Sequence, residues 1–315
     1  MAAIKSYKGF DKNLKCRDFQ YEIGKEYEMD GEIKVCNRGF HACESPFDVF
    51  DHYTMIDSRF CEVEQDGNIS KEDRGTKICS SKIKIKAELK LADMINLGVE
   101  WLKEITSPEK IKTSIKDNSS GNGAKIGSSG YGAQIGSSGY NAQIGSSGDD
   151  AKIGSSGYDA KIGSSGNNAQ IGSSGDGAKI GSSGNNAQIG SSGDGAKIGS
   201  SGNNAQIGSS GNNAQIGSSG NNAKIGSSGN NAKIGSSGNN AKIDSTGEDC
   251  VIMCAGINSV AKASKGSWIT LSEWSYSDKK QRYIPVCVKT EFVDGEKIKA
   301  DTYYKLDGGV FKEMQ

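Results

Sequence analysis

The sequence has little proline, almost no histidine and no net charge. Its 315 residues include 3 Pro and 2 His, and 38 basic residues balance 38 acidic ones. So few prolines exclude collagen and Pro-rich linkers as explanations of the glycine content. With only His41 and His52, no Ser-His-Asp set can be assembled. Zero net charge argues against wrapping of nucleic acid, which needs an excess of Lys and Arg on one face, and against an acidic DNA mimic. Direct nucleic-acid binding is therefore not expected.

Long apolar segments are also absent. No apolar run approaches the ~18 residues that span a bilayer, and the first residues lack the apolar stretch of a secretory signal. We therefore expect no membrane association and a cytoplasmic location. The 8 Cys are scattered through the chain instead of being concentrated in a small secreted scaffold, which predicts reduced thiols.

Glycine is concentrated in one repetitive block. Fourteen nonapeptides between Ala124 and Asp249 hold 30 of the 44 Gly. In the frame Ala-(Lys/Gln)-Ile-Gly-Ser-Ser-Gly-x-x, Ala and Ile flank a polar residue, which predicts a three-residue strand with one buried face. Position nine is always Gly, Asn or Asp, which tolerate positive φ; with Gly at positions four and seven, this predicts a left-handed corner. Such strict repetition indicates a parallel β-solenoid and not a flexible linker.

A longer period predicts the size of each coil. The second position alternates between Lys and Gln from residue 161 to residue 206. Two nonapeptides per coil would place Lys161, Lys179 and Lys197 on one outer face and the glutamines on the other. Seven such coils would form a rod of about 34 Å. A three-sided coil of three nonapeptides is the alternative.

Folded segments are predicted on both sides of the repeats. The chain is expected to be mainly β, with a small N-terminal domain of helices and strands (α/β) over residues 1–112. The solenoid and its degenerate caps would occupy residues 113–265, and an antiparallel β-meander residues 266–315. In the first domain, a helix opens at Ser45 with Pro46 in its first turn, and another is predicted from Leu89 to Ile105.

Strand patterns complete these two flanking domains. Alternation predicts N-terminal strands over residues 60–64 and 83–89. C-terminal strands are predicted over residues 268–274, 283–293, 297–306 and 310–312, the last three being separated by Asp-Gly turns. The cysteines Cys250 and Cys254 lie in the solenoid cap, where we expect them to pack as small apolar groups.

Several segments of the flanks resemble an uncharacterised domain family of tailed phages and prophages. They are Tyr7-Lys-Gly-Phe, Cys36-Asn-Arg-Gly-Phe-His-Ala-Cys-Glu-Ser-Pro, Cys61-Glu-Val-Glu and Lys262-Ala-Ser-Lys-Gly-Ser-Trp-Ile-Thr-Leu-Ser-Glu-Trp. In that family similar ends flank a variable, repetitive middle. The resemblance implies a viral origin, a host-cytoplasm setting and an action on host machinery or host defence.

The segment Gly39-Phe-His-Ala-Cys also resembles a stretch of small proteins related to ADP-ribosyltransferases. That resemblance implies that His41 binds a dinucleotide, that Tyr53 stacks on its ring, and that Glu62 or Glu64 is the catalytic acid. The sequence lacks the Ser-Thr-Ser strand of such enzymes, and it has no phosphate-binding Gly loop. Fold-level analogy alone does not transfer an activity.

Metal binding has two candidate sites. Cys16, Cys36, His41 and Cys43 offer a zinc ligand set, although their spacing is not a usual zinc pattern. Packing of buried cysteines is the alternative. In the repeats, the ninth position is Asp at only Asp150, Asp159 and Asp249, too few charged oxygens for calcium. We expect no cofactor.

Three tyrosines interrupt the repeats near one end of the predicted rod. Tyr131, Tyr140 and Tyr158 would form an exposed aromatic contact patch of the kind that interfaces favour. Solubilising decoration of a corner is the alternative interpretation.

Taken together, these features predict a non-enzymatic phage-type accessory protein. It would bind a host protein or complex and inhibit a defence system, with the solenoid as a rigid spacer and interaction surface. A nucleotide-binding N-terminal domain and a structural or assembly role are the alternatives. Exposed solenoid edges leave a homodimer open.

Overall fold

The structure, a computed structural model, describes residues 3–55, 57–72, 76–105 and 121–314. The chain is mainly β and contains a parallel β-solenoid, as the repeats predict. Two compact units divide it, residues 1–101 and 102–315. The predicted boundary between residues 112 and 113 lies outside the described ranges.

The N-terminal unit is built on seven strands, and its two helical segments are a 3₁₀ turn and the helix that begins near its end. These elements are β1 (Ile4–Phe10), β2 (Lys15–Cys16), β3 (Phe19–Gln20), β4 (Glu26–Glu28), β5 (Phe40–Cys43), the 3₁₀ helix (Phe47–Asp51), β6 (Arg59–Lys71), β7 (Lys77–Leu89) and α1 (Leu91–Ile105). Strands β2 and β3 form a separate small hairpin.

Antiparallel pairing closes this unit into a ring. Strand β1 pairs with β5 and β6, and β7 pairs with both β5 and β6 as well as with β4. Alternate side chains of the strands, such as Val63 and Ile85, point into a buried core. The buried Gln65 amide joins the strands there, because it accepts from Ser6 Oγ at 2.7 Å and donates to the Phe40 carbonyl at 2.7 Å.

Both predicted N-terminal helical segments are present. The first is a 3₁₀ helix that begins at Phe47 with Pro46 at its N-cap, one residue later than the predicted cap Ser45. Ser45 Oγ nevertheless accepts the backbone N–H of Asp48 at 3.3 Å. The second, α1, begins two residues later than predicted. Its buried side chains, including Met94 and Val99, lie on one face. No helix in the described ranges is long and apolar enough to cross a membrane.

The solenoid strands alternate between two parallel sheets. The even sheet contains β8 (Lys125–Ser128), β10 (Gln143–Ser146), β12 (Lys161–Ser164), β14 (Lys179–Ser182), β16 (Lys197–Ser200), β18 (Gln215–Ser218), β20 (Lys233–Ser236) and β22 (Val251–Cys254). The odd sheet contains β9 (Gln134–Ser137), β11 (Lys152–Ser155), β13 (Gln170–Ser173), β15 (Gln188–Ser191), β17 (Gln206–Ser209), β19 (Lys224–Ser227), β21 (Lys242–Ser245) and β23 (Val260–Ala263).

Each coil comprises 18 residues, which confirms the two-sided prediction. Within the even sheet Lys161 pairs with Lys179, and Lys179 pairs with Lys197. Within the odd sheet Gln170 pairs with Gln188. Between residues 161 and 206 the alternation therefore separates Lys and Gln onto different faces, as expected, whereas outside that stretch each sheet carries both residue types. The more apolar strands β22 and β23 add a coil beyond the fourteen repeats, so the solenoid has about eight turns.

The observed strands cover positions two to five of each repeat, later than the predicted positions one to three. The shift arises because Ser at position five also points inward and pairs in register with its copies. Ala and Ile form a thin continuous core in which Ile171 and Ile189 are fully buried. Twelve inward Ser hydroxyls, Ser182 Oγ and Ser191 Oγ among them, have no hydrogen-bond partner in the described structure. The inter-coil backbone bonds, such as Lys161 N–H to Ala142 O at 2.8 Å, provide the regular order.

Only position nine of each corner is left-handed. Asn168 and Asn186 have φ of 55° and 57°, whereas Gly at positions four and seven does not take positive φ. Position seven requires Gly for a steric reason, because a Cβ on Gly184 would overlap the carbonyl oxygen of Gly166 one coil earlier. The left-handed corner is thus confirmed, and the close stacking of coils explains the other invariant glycine.

The C-terminal strands extend the two solenoid sheets. Strand β24 (Trp268–Ser277) adds in parallel to β22, and β25 (Arg282–Phe292) folds back along β24. On the other sheet, β26 (Tyr304–Asp307) pairs antiparallel with β23 and with β27 (Val310–Glu313). The predicted strands are therefore distributed over both sheets as two antiparallel hairpins. One physical reason is that a solenoid ends in two open sheet edges, and each needs a partner strand.

Candidate functional site

The N-terminal unit contains a cavity of about 810 Å³. It is lined by β1, by the segment around β2 and β3, by residues 36–43, and by the residues that follow the 3₁₀ helix. Gly9 on β1 leaves room for the ring of Tyr53, since a Cβ there would overlap it. A volume of this size is in the range that accommodates a small organic ligand.

Lys8 is the buried cation of this cavity. Its side chain lies in the middle of β1 and is 4% exposed. Nζ donates to the His41 carbonyl at 2.9 Å and to Cys16 Sγ at 3.5 Å, which leaves a third N–H for a ligand. Burial lowers the pKa of Lys8, while the neighbouring Cys16 sulfur acts in the opposite direction. A buried ammonium group in a cavity is a strong site for an anion.

His41 orients the wall of the cavity. Its Nε2 accepts the backbone N–H of Cys36 at 3.0 Å. Burial, together with the positive charge of Lys8, lowers the pKa of His41, so the imidazole is held in its neutral form. The preceding Gly39 has φ of 131°, and a Cβ there would overlap Cys79 Sγ, so this turn requires glycine. His41 therefore positions the loop, and its acceptor nitrogen is already occupied.

Cations and aromatic rings share the lining. Arg17 and Lys77 lie there with Lys8, and Asp18 is the single carboxylate among the described lining residues. Burial and the charge of Lys77 lower the pKa of His52, which also lines the cavity. The aromatic lining residues are Tyr7, Phe19, Tyr21, Phe40 and Tyr53. The cavity thus combines a positive potential with flat apolar walls.

Tyr53 lies in the cavity, whereas the two predicted acids lie outside it. Tyr53 OH donates to Cys16 Sγ at 2.9 Å. Glu62 pairs with Lys5 at 2.8 Å, and Glu64 with Lys86 at 2.8 Å, on strand β6. Neither carboxylate is among the lining residues. The structure therefore brings together His41 and Tyr53 of the predicted set and separates them from both acids.

The predicted zinc ligands all line the cavity but serve other contacts. Cys36 Sγ accepts from Lys77 Nζ at 3.4 Å, and Cys16 Sγ accepts from Tyr53 and Lys8. Burial raises the pKa of Cys43 to about 12, which opposes the thiolate that a metal needs. In the described part of the chain, no group of three or more His, Cys, Asp or Glu is arranged to hold a metal ion.

The solenoid brings two of the three predicted tyrosines together. Tyr140 and Tyr158 occupy the same corner one coil apart, with ring centroids 5.3 Å apart and planes inclined by 12°. They are 54% and 48% exposed. Tyr131, which is 75% exposed, follows an even strand and therefore lies on the opposite corner.

The sequence interpretation missed Lys8, Arg17, Lys77 and Phe19 as cavity residues. The available signal was the position of Lys8 inside Tyr7-Lys-Gly-Phe, where a charged residue lies between two aromatic residues of one strand. Phe19, at 46% exposure, is an unusually exposed ring. Arg17 and Lys77 carried no local signal, because they reach the cavity through tertiary contacts alone.

The profile of one protein family, described as Domain of unknown function (DUF7666), matches residues 4–97. The match includes the first three motif segments and all of the cavity residues, whereas the segment beginning at Lys262 lies beyond it. No curated protein and no solved structure matches the chain.

Proposed function

We propose that the chain is a binding protein whose N-terminal unit holds a small anionic ligand with an aromatic ring, of the nucleotide class. The carrying observation is the buried ammonium group of Lys8 at the wall of the 810 Å³ cavity. Arg17 and Lys77 supplement its charge, and Phe19 and Tyr53 offer rings on which a base can stack.

The contacts of the cavity residues support binding of the ligand and do not support catalysis on it. An ADP-ribosyl transfer needs a carboxylate beside the reacting ribose, and Glu62 and Glu64 are engaged by lysines outside the cavity. Among the described residues the one lining carboxylate is Asp18, which is flanked in sequence by Arg17 and Phe19. His41 accepts a backbone N–H, so it is not poised as a base.

Calorimetry with ATP, NAD, ADP-ribose, adenosine and inorganic triphosphate tests this proposal. We expect the phosphorylated nucleosides to bind. Adenosine and inorganic triphosphate should bind more weakly, because adenosine lacks the anionic group and triphosphate lacks the aromatic ring. Lys8→Met should abolish binding, since it removes the charge and keeps the stem. Lys5→Met on the same strand is the matched control, because Lys5 points to Glu62 instead of the cavity.

The same experiment separates binding from catalysis. Glu62→Gln should leave ligand affinity unchanged, and no nicotinamide should be released from NAD. Should Lys8→Met melt differently from the parent, Phe19→Ser supplies a second test at an exposed ring. Unchanged nucleotide affinity in both variants would refute the proposal.

We propose in addition that the solenoid binds a host macromolecule. The stacked and half-exposed Tyr140 and Tyr158 favour this second function, because paired aromatic side chains on a rigid element are typical interface anchors. The motif resemblance supports a phage or prophage origin, a host-cytoplasm setting and interference with a host defence system as the effect.

A comparison of variants in host extract tests this second function. The tagged chain and Tyr131→Ser should retain the same host partner, and Tyr140→Ser/Tyr158→Ser should lose it. Tyr131 is the control because it is a tyrosine on the opposite corner that is even more exposed than Tyr140 and Tyr158. Retention of every partner by the double variant would contradict a role for the stacked pair.

A further inference from the structure

The outer face of the even sheet carries three parallel rows of equivalent positions. Position two contributes a row of five lysines and two glutamines, position four a row of glycines and position six a row of serines, and all of these residues are exposed except the half-buried Gly235. The lysines are Lys125, Lys161, Lys179, Lys197 and Lys233, with Gln143 and Gln215 between them. We call this surface, together with its continuation over β22, β24 and β25, the lysine face.

The glycine row makes a groove between the other two rows. A Cβ at Gly163 or Gly181 would meet nothing within 4 Å, so the space above each is open. A shallow groove of about 1020 Å³ follows this row from Gly145 to Met253 and Ala255. Glycines and hydroxyls such as Ser165 and Ser183 line this groove. The lysines lie on the other side of the glycine row, where Lys125, Lys161 and Lys179 line a second shallow depression.

The lysine face has no acidic side chain. Its outward positions from β8 to β25 contain no Asp or Glu among the described residues. The five lysines form no ion pair with a described residue. With neighbouring strands about 4.8 Å apart, the row from Lys125 to Lys233 is about 29 Å long. The outward side chains of this face therefore carry charge of one sign, although the whole chain is neutral. Asp159, Asp176 and Asp194 lie in the corners that lead into the strands of Lys161, Lys179 and Lys197.

The groove ends on an apolar cluster. Val251, Met253, Trp268 and Phe292 are 46%, 51%, 47% and 40% exposed, and Val288 is 62% exposed. The register places them on the same outward face, because their neighbours Ile252 and Ile269 point into the core. The rings of Trp268 and Phe292 lie 5.0 Å apart. Exposed Trp, Phe and Met grouped beside a charged groove are typical of a protein-binding hot spot.

We propose that the lysine face binds an extended acidic segment of a protein partner, whose apolar end packs on Trp268, Phe292 and Met253. Charge complementarity selects the acidic segment, and the narrow glycine floor selects an extended backbone. The proposal rests on the macromolecular function above but uses a different surface from the tyrosines. About 13 extended residues would span the face from β8 to β25.

The occupant is a protein segment and not a nucleic acid for two reasons. The lysine face offers a single row of five lysines, whereas a nucleic acid needs a broad basic surface that contacts many phosphates. The apolar cluster at the end of the groove contains aliphatic side chains in addition to aromatic rings. Aliphatic side chains pack better on Leu or Ile of a protein than on stacked bases.

Fluorescence anisotropy with the full-length chain tests the proposal. The probe is a labelled peptide of about 13 residues that alternates Glu and Ser and ends in Leu-Trp. Its counterpart replaces every Glu with Gln. We expect the Glu peptide to bind about tenfold more tightly than the Gln peptide, with an affinity that falls as salt rises.

Matched variants locate the binding. Lys161→Gln/Lys179→Gln/Lys197→Gln should weaken the Glu peptide about tenfold. Lys12→Gln/Lys279→Gln/Lys280→Gln removes the same charge from exposed lysines elsewhere and should leave the affinity within about twofold. Trp268→Ser and the milder Val251→Thr/Val288→Thr should each weaken binding several-fold.

Equal affinity in the two triple-lysine variants would overturn the proposal. So would tighter lysine-dependent binding of a single-stranded oligonucleotide than of the peptide, or a dimer in sedimentation that Trp268→Ser dissolves. Tyr140→Ser/Tyr158→Ser should bind the peptide normally. Failure of the tyrosine proposal is therefore distinguishable from failure of this one.

Discussion

Two glycines recur in the repeat for different physical reasons. One is at position seven in all fourteen units, and the other is at position four in all but the last, which has Asp244. Gly at position four lies on an outer face, and on the even sheet the space above it is open. Gly at position seven lies where successive coils make their closest backbone approach. At position nine, Gly, Asn and Asp all occur because each tolerates the φ near 57° seen at Asn186. Two glycines of the same repeat can therefore contribute differently to the stability of the solenoid.

Substituting the two glycines in one repeat should give effects of opposite sign. Gly184→Ala places a Cβ against the Gly166 carbonyl oxygen and should destabilise the solenoid by about 1–3 kcal/mol. Gly181→Ala meets nothing and should stabilise the strand by about 0.4–1 kcal/mol, because it restricts the unfolded chain. Urea unfolding followed by circular dichroism measures both. Equal destabilisation by the two variants would contradict the stacking explanation.

The N-terminal unit should lose stability in mild acid. Burial lowers the pKa of His41 and of His52 below the ordinary value, so the unfolded chain binds more protons than the folded one at low pH. Their contribution is fully present above about pH 6.5 and is lost as pH falls through the lowered folded values. Thermal melting between about pH 7.5 and pH 5 should show this loss.

Replacing the histidines checks the assignment. His41→Gln and His52→Gln should each flatten the pH dependence relative to the parent chain, because Gln does not titrate. Lys12→Gln, which changes an exposed charge on the same unit, should leave the slope as it is. A parent-like slope in the double histidine variant would show that other groups govern the acid response.

At the level of elements, the structural unit is the coil and not the nonapeptide. Strands 18 residues apart are hydrogen-bonded neighbours, whereas strands nine residues apart lie on different sheets. The C-terminal strands require a whole number of coils, because β24 must follow the even sheet and β26 must follow the odd sheet.

Deleting whole or half coils should therefore have different consequences. Removal of residues 178–195 takes out one coil and should leave a shorter, folded solenoid. Removal of residues 178–186 moves every later strand to the other sheet and should strongly destabilise the C-terminal hairpins. Limited proteolysis and circular dichroism compare the two. A half-coil deletion as resistant to protease as the full-coil deletion would refute the parity requirement.

Across the whole molecule, the eight cysteines are free and mostly buried. Burial raises the pKa of Cys61 and Cys254 to about 12, which suppresses their thiolates. We expect iodoacetamide to label the exposed Cys36 first and to reach Cys61 and Cys254 only after denaturation, as measured by mass spectrometry of the digested protein. Labelling of the buried pair in the native protein at the rate of Cys36 would contradict the fold around them.

The extent to which sequence predicted structure differs between the two units. In the repeats, each side chain packs against its own copy in the next coil, so the periodicity directly encodes the tertiary contact. The left-handed ninth position followed from it. The alternation of Lys and Gln favoured the 18-residue coil, and with it the row containing Lys161, Lys179 and Lys197, over the three-sided alternative. The steric role of position seven did not, because it depends on an interatomic distance between coils that no residue pattern states.

What the sequence by itself determined is the parallel solenoid, because alternation and turn residues that recur every nine positions are satisfied by stacking copies of one unit. The number of units in each coil was decided by the tertiary structure. What only the tertiary structure decided is the cavity. Lys8, Tyr53 and Lys77 are far apart in the chain and come together because β1, β5 and β7 join one closed antiparallel ring. The same closure leaves Glu62 and Glu64 outside the cavity, since successive residues of a strand point to opposite faces and a motif does not reveal which face is enclosed.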